Sequence, residues 1–433
     1  MLTRSKKIDV LKAVSRGSGK VQYAEGIKAG RWLFLTGAMA TDYVNGVPLA
    51  VHNPSLPMSG KPKNEKEATF IFERMKTLLQ SNGSDMENVV RLDQYYTTWT
   101  AVDSYHVGRK KAFGQYIPPS TSIVQKKLLL RDADIEVEMI AIAPTEDFFV
   151  QSVSLPEVES PASSGYVPAV KAGDFIFIAG LMATTGKGRA EHVPPEAQPV
   201  PGYLWRGKQV KLETEYIINH RLKPALEASG SSLSGVVKAQ IHLRNMNDIP
   251  DFLEVWKKYF PVDAPVTTLI PTSDPGFAIA QAAVEITVVA LSDNGKTKKE
   301  IIKSTVFSGF EDQTLAIKAG DLLFITGLMA TDENGLVKEC AEDDRQPYFG
   351  STAQCQMNNI LSKAKMICEK AGTGLENTVR IQQYHTNLNE FFGAYQSWQN
   401  ILPGQALPFS AVEVPSLPVP GCSMLVDLWV YVP

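Results

Sequence analysis

Three carboxylates stand in otherwise apolar, strand-like runs: Glu138 within Ile135–Ile142, Glu285 within Ala283–Ala290 and Asp427 within Met424–Val432. An ionised carboxyl is costly in such surroundings unless it is hydrogen-bonded or has a chemical role. In an apolar cleft its pKa rises toward neutrality, where it can serve as general acid and base. The alternative is an exposed carboxylate on an outer sheet face, and Glu136 reads that way. Three further strand-like segments end in Tyr95, His242 and Tyr384. An imidazole there can shuttle protons near neutral pH or be a satisfied structural histidine. Tyr23 and Tyr166 precede two near-identical glycine turns. A phenol so placed can donate a hydrogen bond or simply pack.

Other chemistries lack their residues. There is no GxxxxGK[ST] loop and no GxGxxG turn after a strand. Gly17-Ser18-Gly19-Lys20 lacks the spacing of a phosphate loop. Cys340, Cys355, Cys368 and Cys422 show no metal-ligand spacing and are too few for a disulfide scaffold. His220 and His242 share no helical face. No metal and no cofactor are expected. The basic runs Arg109-Lys110-Lys111 and Lys126-Lys127 read as solvated surface rather than a nucleic-acid site.

The elements that position these residues occur three times. Ile27-Lys28-Ala29-Gly30-Arg31-Trp32-Leu33-Phe34-Leu35-Thr36-Gly37-Ala38-Met39-Ala40-Thr41 returns at Val170–Thr184 and again at Ile317–Thr331. Its glycines Gly30, Gly173 and Gly320 lie 143 and then 147 residues apart. A period that long marks whole domains, not solenoid units. Repeats are expected over residues 1–147, 148–297 and 298–433. Each opens on an alternating segment and continues through the shared strand and a long polar loop. Helices are expected near Glu65–Gln80, Leu212–Ala228 and Thr352–Ala371, with Gly83, Gly230 and Gly372 as C-caps. A middle strand, a second helix and the closing carboxylate-bearing strand follow. That β-α-β-α-β order argues for an α+β domain with helices over one sheet face.

Composition agrees with a globular protein. The chain has 433 residues, 44% of them hydrophobic and 21% charged, with a formal net charge of -3. No basic excess points to nucleic acid or an anionic membrane, and no apolar run approaches the roughly 20 residues of a membrane span. A cytoplasmic protein is expected.

The Lys-Ala-Gly strand, the two helices and the closing Ile135-Glu136-Val137-Glu138-Met139-Ile140-Ala141-Ile142 resemble the Rid family (RidA/YjgF, L-PSP-like), the reactive-intermediate imine deaminases. The resemblance covers nearly the whole chain in three tandem copies. It implies chorismate-mutase-like α+β domains forming an intramolecular pseudo-trimer, hence a monomer with ligand clefts between repeats. Linking the copies removes the association entropy that separate subunits pay. The resemblance also implies site residues. The family's acid maps onto Glu138, Glu285 and Asp427, and its tyrosine onto Tyr23 and Tyr166, with Gln313 in the third copy. Its small polar residue before the strand glycine maps onto Thr36 and Thr326, with Ala179 in the second copy. The arginine that clamps a substrate carboxylate maps, through Pro119, Pro265 and Pro408, onto Thr121, Thr267 and Ser410. All three copies lack it, and a hydroxyl cannot hold a carboxylate by charge. Long loops after each Met-Ala-Thr carry Tyr43, His52, His192, Trp205 and Tyr348, as lids or as surface packing.

The expected function is therefore an enzyme acting on a small, largely uncharged carbonyl, imine or enamine by carboxylate acid–base chemistry in an inter-repeat cleft. Imine or enamine hydrolysis, isomerisation, dehydration and cyclisation in specialised metabolism all fit, with one competent cleft sufficing. A non-catalytic ligand-binding or chaperone-like scaffold is the alternative. The expected partner is a small molecule, with no nucleic acid and no membrane.

Overall fold

The computed structural model describes residues 2–16, 21–42, 45–56, 60–155, 164–184, 192–202, 208–302, 314–342 and 351–433. Tyr43, Trp205, Gln313, Tyr348 and the Gly17–Lys20 turn lie outside them. In the first repeat, β1 (Ile8–Arg16), β2 (Val21–Ala29) and β3 (Trp32–Met39) lead to α1 (Lys63–Gln80) and β4 (Val89–Tyr96). Then come α2 (Thr100–Phe113), β5 (Ser120–Val124), the short β6 (Lys127–Leu128) and β7 (Ile135–Ile142). The second repeat runs through β8 (Val150–Val153), β9 (Ala169–Ala172), β10 (Phe175–Leu181), α3 (Lys208–Ile217) and α4 (Lys223–Ala228). It continues through β11 (Val236–Leu243), α5 (Ile249–Tyr259), β12 (Val266–Pro271) and β13 (Val284–Leu291). The third has β14 (Lys299–Ile302), β15 (Ala316–Ala319), β16 (Leu322–Ile325), a small β17 (Thr331–Asp332) and β18 (Gly335–Leu336), and α6 (Thr352–Lys370). It ends with β19 (Thr378–His385), α7 (Phe391–Ile401), β20 (Phe409–Glu413) and β21 (Met424–Tyr431).

The three sheets share one order. The first is β1-β2-β3-β7-β4-β5, the second β8-β9-β10-β13-β11-β12, and the third β14-β15-β16-β21-β19-β20 with β6 of the first repeat added at its edge. The closing strand is thus central, and its side chains are buried on both faces. Gly30, Gly173 and Gly320 take φ of +57°, +58° and +57°, the left-handed turn that glycine favours.

Two features depart from the sequence expectation. The strands β5, β12 and β20 pair parallel to the middle strands β4, β11 and β19. They are short and proline-led, so their alternation is weak. The helix expected at Leu212–Ala228 is broken by a π turn over Ile218–Leu222. Pro224 lacks the N–H for an ordinary i→i−4 bond, and the wider turn absorbs the loss.

Alternation along β3 and β7 separates two faces. Leu33, Leu35, Val137 and Met139 pack against α1 and α2. Trp32, Phe34, Ile140 and Ile142 face inward and join Phe175, Phe177, Val289, Phe324 and Trp429 in one apolar core drawn from all three repeats. The three sheets therefore close around a pseudo-threefold axis, each covered outside by its own helices. Cys340 and Cys355 form a disulfide, while Cys368 and Cys422 are free and buried.

Candidate active site

Strand register decides which residues are equivalent, because a one-residue slip moves a side chain to the opposite face. Tyr95 stands directly across from Glu136, His242 from Glu285, and Tyr384 from Leu425. Glu285 is therefore the counterpart of Glu136, and the third repeat has a leucine there. Two residues along, Glu138, Thr287 and Asp427 pair with Asp93, Gln240 and Gln382. The three carboxylates assigned to one position by sequence occupy two. Glu136 is also not an exposed outer-face residue: it is fully buried, because it shares the inward face with Glu138.

The same register corrects one hydroxyl. Asp93, Gln240 and Gln382 pair in parallel with Thr121, Thr268 and Ser410. Thr268, not Thr267, is thus the equivalent of Thr121 and Ser410. Thr267 donates to the Pro265 carbonyl at 2.9 Å. The three equivalent hydroxyls each reach the next repeat. Thr121 bonds Thr287 at 2.9 Å, Thr268 donates to Asp427 at 2.6 Å, and Ser410 donates to Glu136. The chain therefore has three related interfaces, in the cyclic order one to two, two to three, three to one.

Between repeats three and one lies a small open cleft of about 30 Å³ lined by Val21, Tyr23, Gly37, Met39, Leu129, Glu136, Phe409, Ser410 and Ala411. Tyr23 is fixed by the neighbouring chain: Ala24 N–H donates to the Leu407 carbonyl at 2.9 Å, and the Tyr23 ring lies 5.7 Å from that of Phe409. Gly37 (φ +48°) lets the backbones meet, since a Cβ would come within 2.5 Å of the Phe409 carbonyl oxygen. A buried carboxyl, a phenol and a hydroxyl thus share an otherwise apolar cleft.

The other two interfaces differ. Between repeats one and two, Glu285 lies against the bare backbone of Gly180, beside Thr121. Burial, reinforced by the Asp93 carboxylate, pushes Glu285 up to about 8. His242 opposite is buried, and burial pushes it down to about 3; its ring nitrogens have no hydrogen-bond partner among the described residues. It stays neutral at physiological pH. Between repeats two and three, Leu425 takes the place of the acid, and Asp427 pairs with Lys238 at 2.6 Å as well as accepting from Thr268, while Lys238 also donates to the Ile325 carbonyl at 2.9 Å.

Glu138 and Asp427 belong to a buried ionic layer at the axis. Arg380 pairs with Glu138 and Asp93 at 2.5 Å each, and Arg91 with Asp93 at 2.9 Å. Gln382 donates to Glu138 and to the Tyr95 hydroxyl, which meets that of Tyr384 at 2.9 Å. Burial raises the Glu138 carboxyl to about 7, while Arg380 and Gln382 pull it back. Arg91, Lys238 and Arg380 balance Asp93, Glu138 and Asp427, all six buried.

The remaining expected residues lie away from the open cleft. Thr36 donates to the Ala24 carbonyl at 3.2 Å and faces Arg74 on the helix side. Thr326 donates to the Thr267 carbonyl at 2.8 Å, and Tyr166 packs on the core of the first repeat. His52 is half-buried, His192 exposed, and neither lines the cleft. In the basic runs, Arg109 is buried against Ser120 and Ser164, and Lys126 and Lys127 pair with Glu413. Among the described residues, no group of three His, Cys, Asp or Glu side chains can hold a metal, and no helix is long and apolar enough to cross a membrane. Sequence reasoning missed Glu136, Met39, Leu129 and Phe409. The two-residue strand period was a signal for the first, since Glu136 must share the face of Glu138.

Comparison with known proteins matches the architecture. The family model for endoribonuclease L-PSP fits three times, over residues 16–143, 157–292 and 312–432. A RutC family protein of Pyrococcus horikoshii is 32% identical over 108 residues, 25% of this chain and 74% of that protein. The 3-aminoacrylate deaminase RutC of Acinetobacter baylyi is 26% identical over 140 residues, 32% of this chain and 97% of that protein. The crystal structure of yeast Mmf1 aligns with a TM-score of 0.27 and 23% identity, over 33% of this chain and 99% of that one. The chain belongs to the endoribonuclease L-PSP (RidA-like) family and carries three tandem copies of its domain.

Proposed function

We propose that the protein hydrolyses a compact, largely uncharged imine or enamine in the cleft between repeats three and one, with Glu136 as general base and acid. The observation that carries this reading is the convergence of the buried Glu136 carboxyl, Ser410 and Tyr23 in an open apolar cleft. Ser410 donates to Glu136 and so orients it; it is a positioning residue. The carboxylate takes a proton from the attacking water and returns it to the departing nitrogen, while the Tyr23 phenol is available to the reacting nitrogen or oxygen. Kinship with a 3-aminoacrylate deaminase supports the reaction class. Glu138 and Asp427 serve the ionic layer, and the other two interfaces hold the ring together.

The test is ammonia release from a panel of enamines and imines generated in situ. Glu136→Gln should lower the rate at least 100-fold, the usual scale of one acid–base group, whereas Glu285→Gln should keep most of it. Equal rates for wild type and Glu136→Gln across the panel would sink the assignment.

A further inference from the structure

The cleft between repeats three and one encloses about 30 Å³, room for about two water molecules. A molecule of several heavy atoms enters only if the walls part, so the fastening of this seam decides access. The chain links repeat one to repeat two and repeat two to repeat three, but repeats one and three meet with no connecting segment. No disulfide spans them either, since all four cysteines lie in the third repeat. At the rim, residues 2–5 fasten the seam. The Arg4 guanidinium donates to the Glu376 carbonyl at 3.2 Å and to the Ala406 carbonyl at 2.5 Å. Ser5 N–H donates to Asn377 Oδ1 at 2.8 Å, and Gln405 Nε2 donates to the Leu2 carbonyl at 3.0 Å.

The seam between repeats two and three uses the same two anchor points. Lys299 donates to the Ser234 and Asp263 carbonyls at 3.4 and 3.0 Å. Ser234 and Glu376 are each the middle residue of the short turn before the middle strand. Asp263 and Ala406 each stand two residues before the proline that leads the edge strand. The recurrence marks a built joint rather than a chance contact. The joints differ in tethering. Lys299 lies on the segment joining the two repeats it fastens, so its contacts reform at high effective concentration. Arg4 reaches a repeat whose covalent link to its own runs through the whole of repeat two. We propose that residues 2–5 form a strap that gates the cleft. Docked, the strap holds Ala406 and Leu407 against β2, where Ala24 N–H meets the Leu407 carbonyl beside Tyr23. Released, it frees the wall that begins at Phe409, three residues after Ala406. The gating role rests on this cleft being the working site; the strap itself does not.

Arg4→Ala tests the strap, with amide hydrogen exchange as the measure of local opening. Exchange at Ala24 should rise at least tenfold. The Val167 amide, which donates to the Ile117 carbonyl across the seam between repeats one and two, should keep its wild-type rate. Lys299→Ala should leave Ala24 unchanged. Access to the cleft is read separately. Met39 lines it, whereas Met139 is buried in the core of the first repeat. In Arg4→Ala, oxidation of Met39 to the sulfoxide by hydrogen peroxide should be at least threefold faster, with Met139 unaffected. Deleting residues 2–5 should reproduce both effects. Unchanged Ala24 exchange in Arg4→Ala, or equal acceleration at Val167 or by Lys299→Ala, overturns the strap. Faster Ala24 exchange with unchanged Met39 oxidation overturns the gate. Neither readout uses turnover, so failure here is distinct from failure of the Glu136→Gln test of the hydrolase reading.

Discussion

Glu285 separates the effect of burial from that of catalysis. Its register matches that of Glu136, yet no described residue donates a hydrogen bond to it, and burial with the nearby Asp93 charge pushes it up to about 8 from an ordinary 4.5. The folded chain therefore holds a proton that the unfolded chain releases between those values. The stabilisation is fully present below about pH 4.5 and is lost as pH rises toward 8. Glutamine mimics the neutral form at every pH. Urea unfolding at pH 5 and pH 8 should show Glu285→Gln gaining on wild type at the higher pH by several kcal/mol, since each tenfold change in proton affinity is worth about 1.4 kcal/mol. A wild-type-to-mutant difference that is flat with pH would mean that Glu285 is ionised in the fold. Residue identity alone could not separate Glu136 from Glu138. The alternation of β7 shows that both face inward, but only the partners Ser410 and Arg380, hundreds of residues away, tell the cleft acid from the paired one.

At the scale of elements, helix ends and the shared strand were readable because they rest on local rules. Gly83, Gly230 and Gly372 cap their helices at φ of +80°, +75° and +77°. The parallel edge strands were not readable, since five or six residues after a proline carry little periodicity and their pairing is set by β4, β11 and β19. That gap explains the one-residue error at Thr267: counting from proline cannot see that Gln240 pairs with Thr268. The register shift in β3 between Leu35 and Ala38 is likewise a tertiary feature, and Gly37 sits within it. At φ +48°, with a Cβ position 2.5 Å from the Phe409 carbonyl oxygen, alanine cannot be accommodated without parting β3 from β20. Gly37→Ala should lower stability by about 1–3 kcal/mol and reduce cleft turnover at least tenfold. Thermal melting and ammonia release measure the two, and a fully active, wild-type-stable variant would contradict the close approach.

The whole molecule breaks the symmetry that its sequence repeats. Each copy has a cation at one register position, Arg91, Lys238 or Arg380, that reaches into the next copy. Lys238 meets Asp427 and Arg380 meets Glu138, but the second repeat has Thr287 at that place, and Arg91 instead donates to Gln240 and pairs with Asp93 on its own strand. Three copies were evident from the repeated segment, and the ring follows from family resemblance. The charge pattern was not evident, because it exists only once the three sheets close. Buried pairs of this kind often add little net stability, but removing one partner strands a charge. Arg380→Met would leave Glu138 and Asp93, each 2.5 Å from the lost guanidinium, facing one another with only Arg91 beside Asp93. The expected cost is about 3–5 kcal/mol, read by chemical denaturation. Adding Glu138→Gln should recover part of it, since the double variant removes one of the stranded charges, and a double-mutant cycle isolates the coupling. Additive losses in that cycle would mean that the two side chains do not interact and that the ring is held by its apolar core alone.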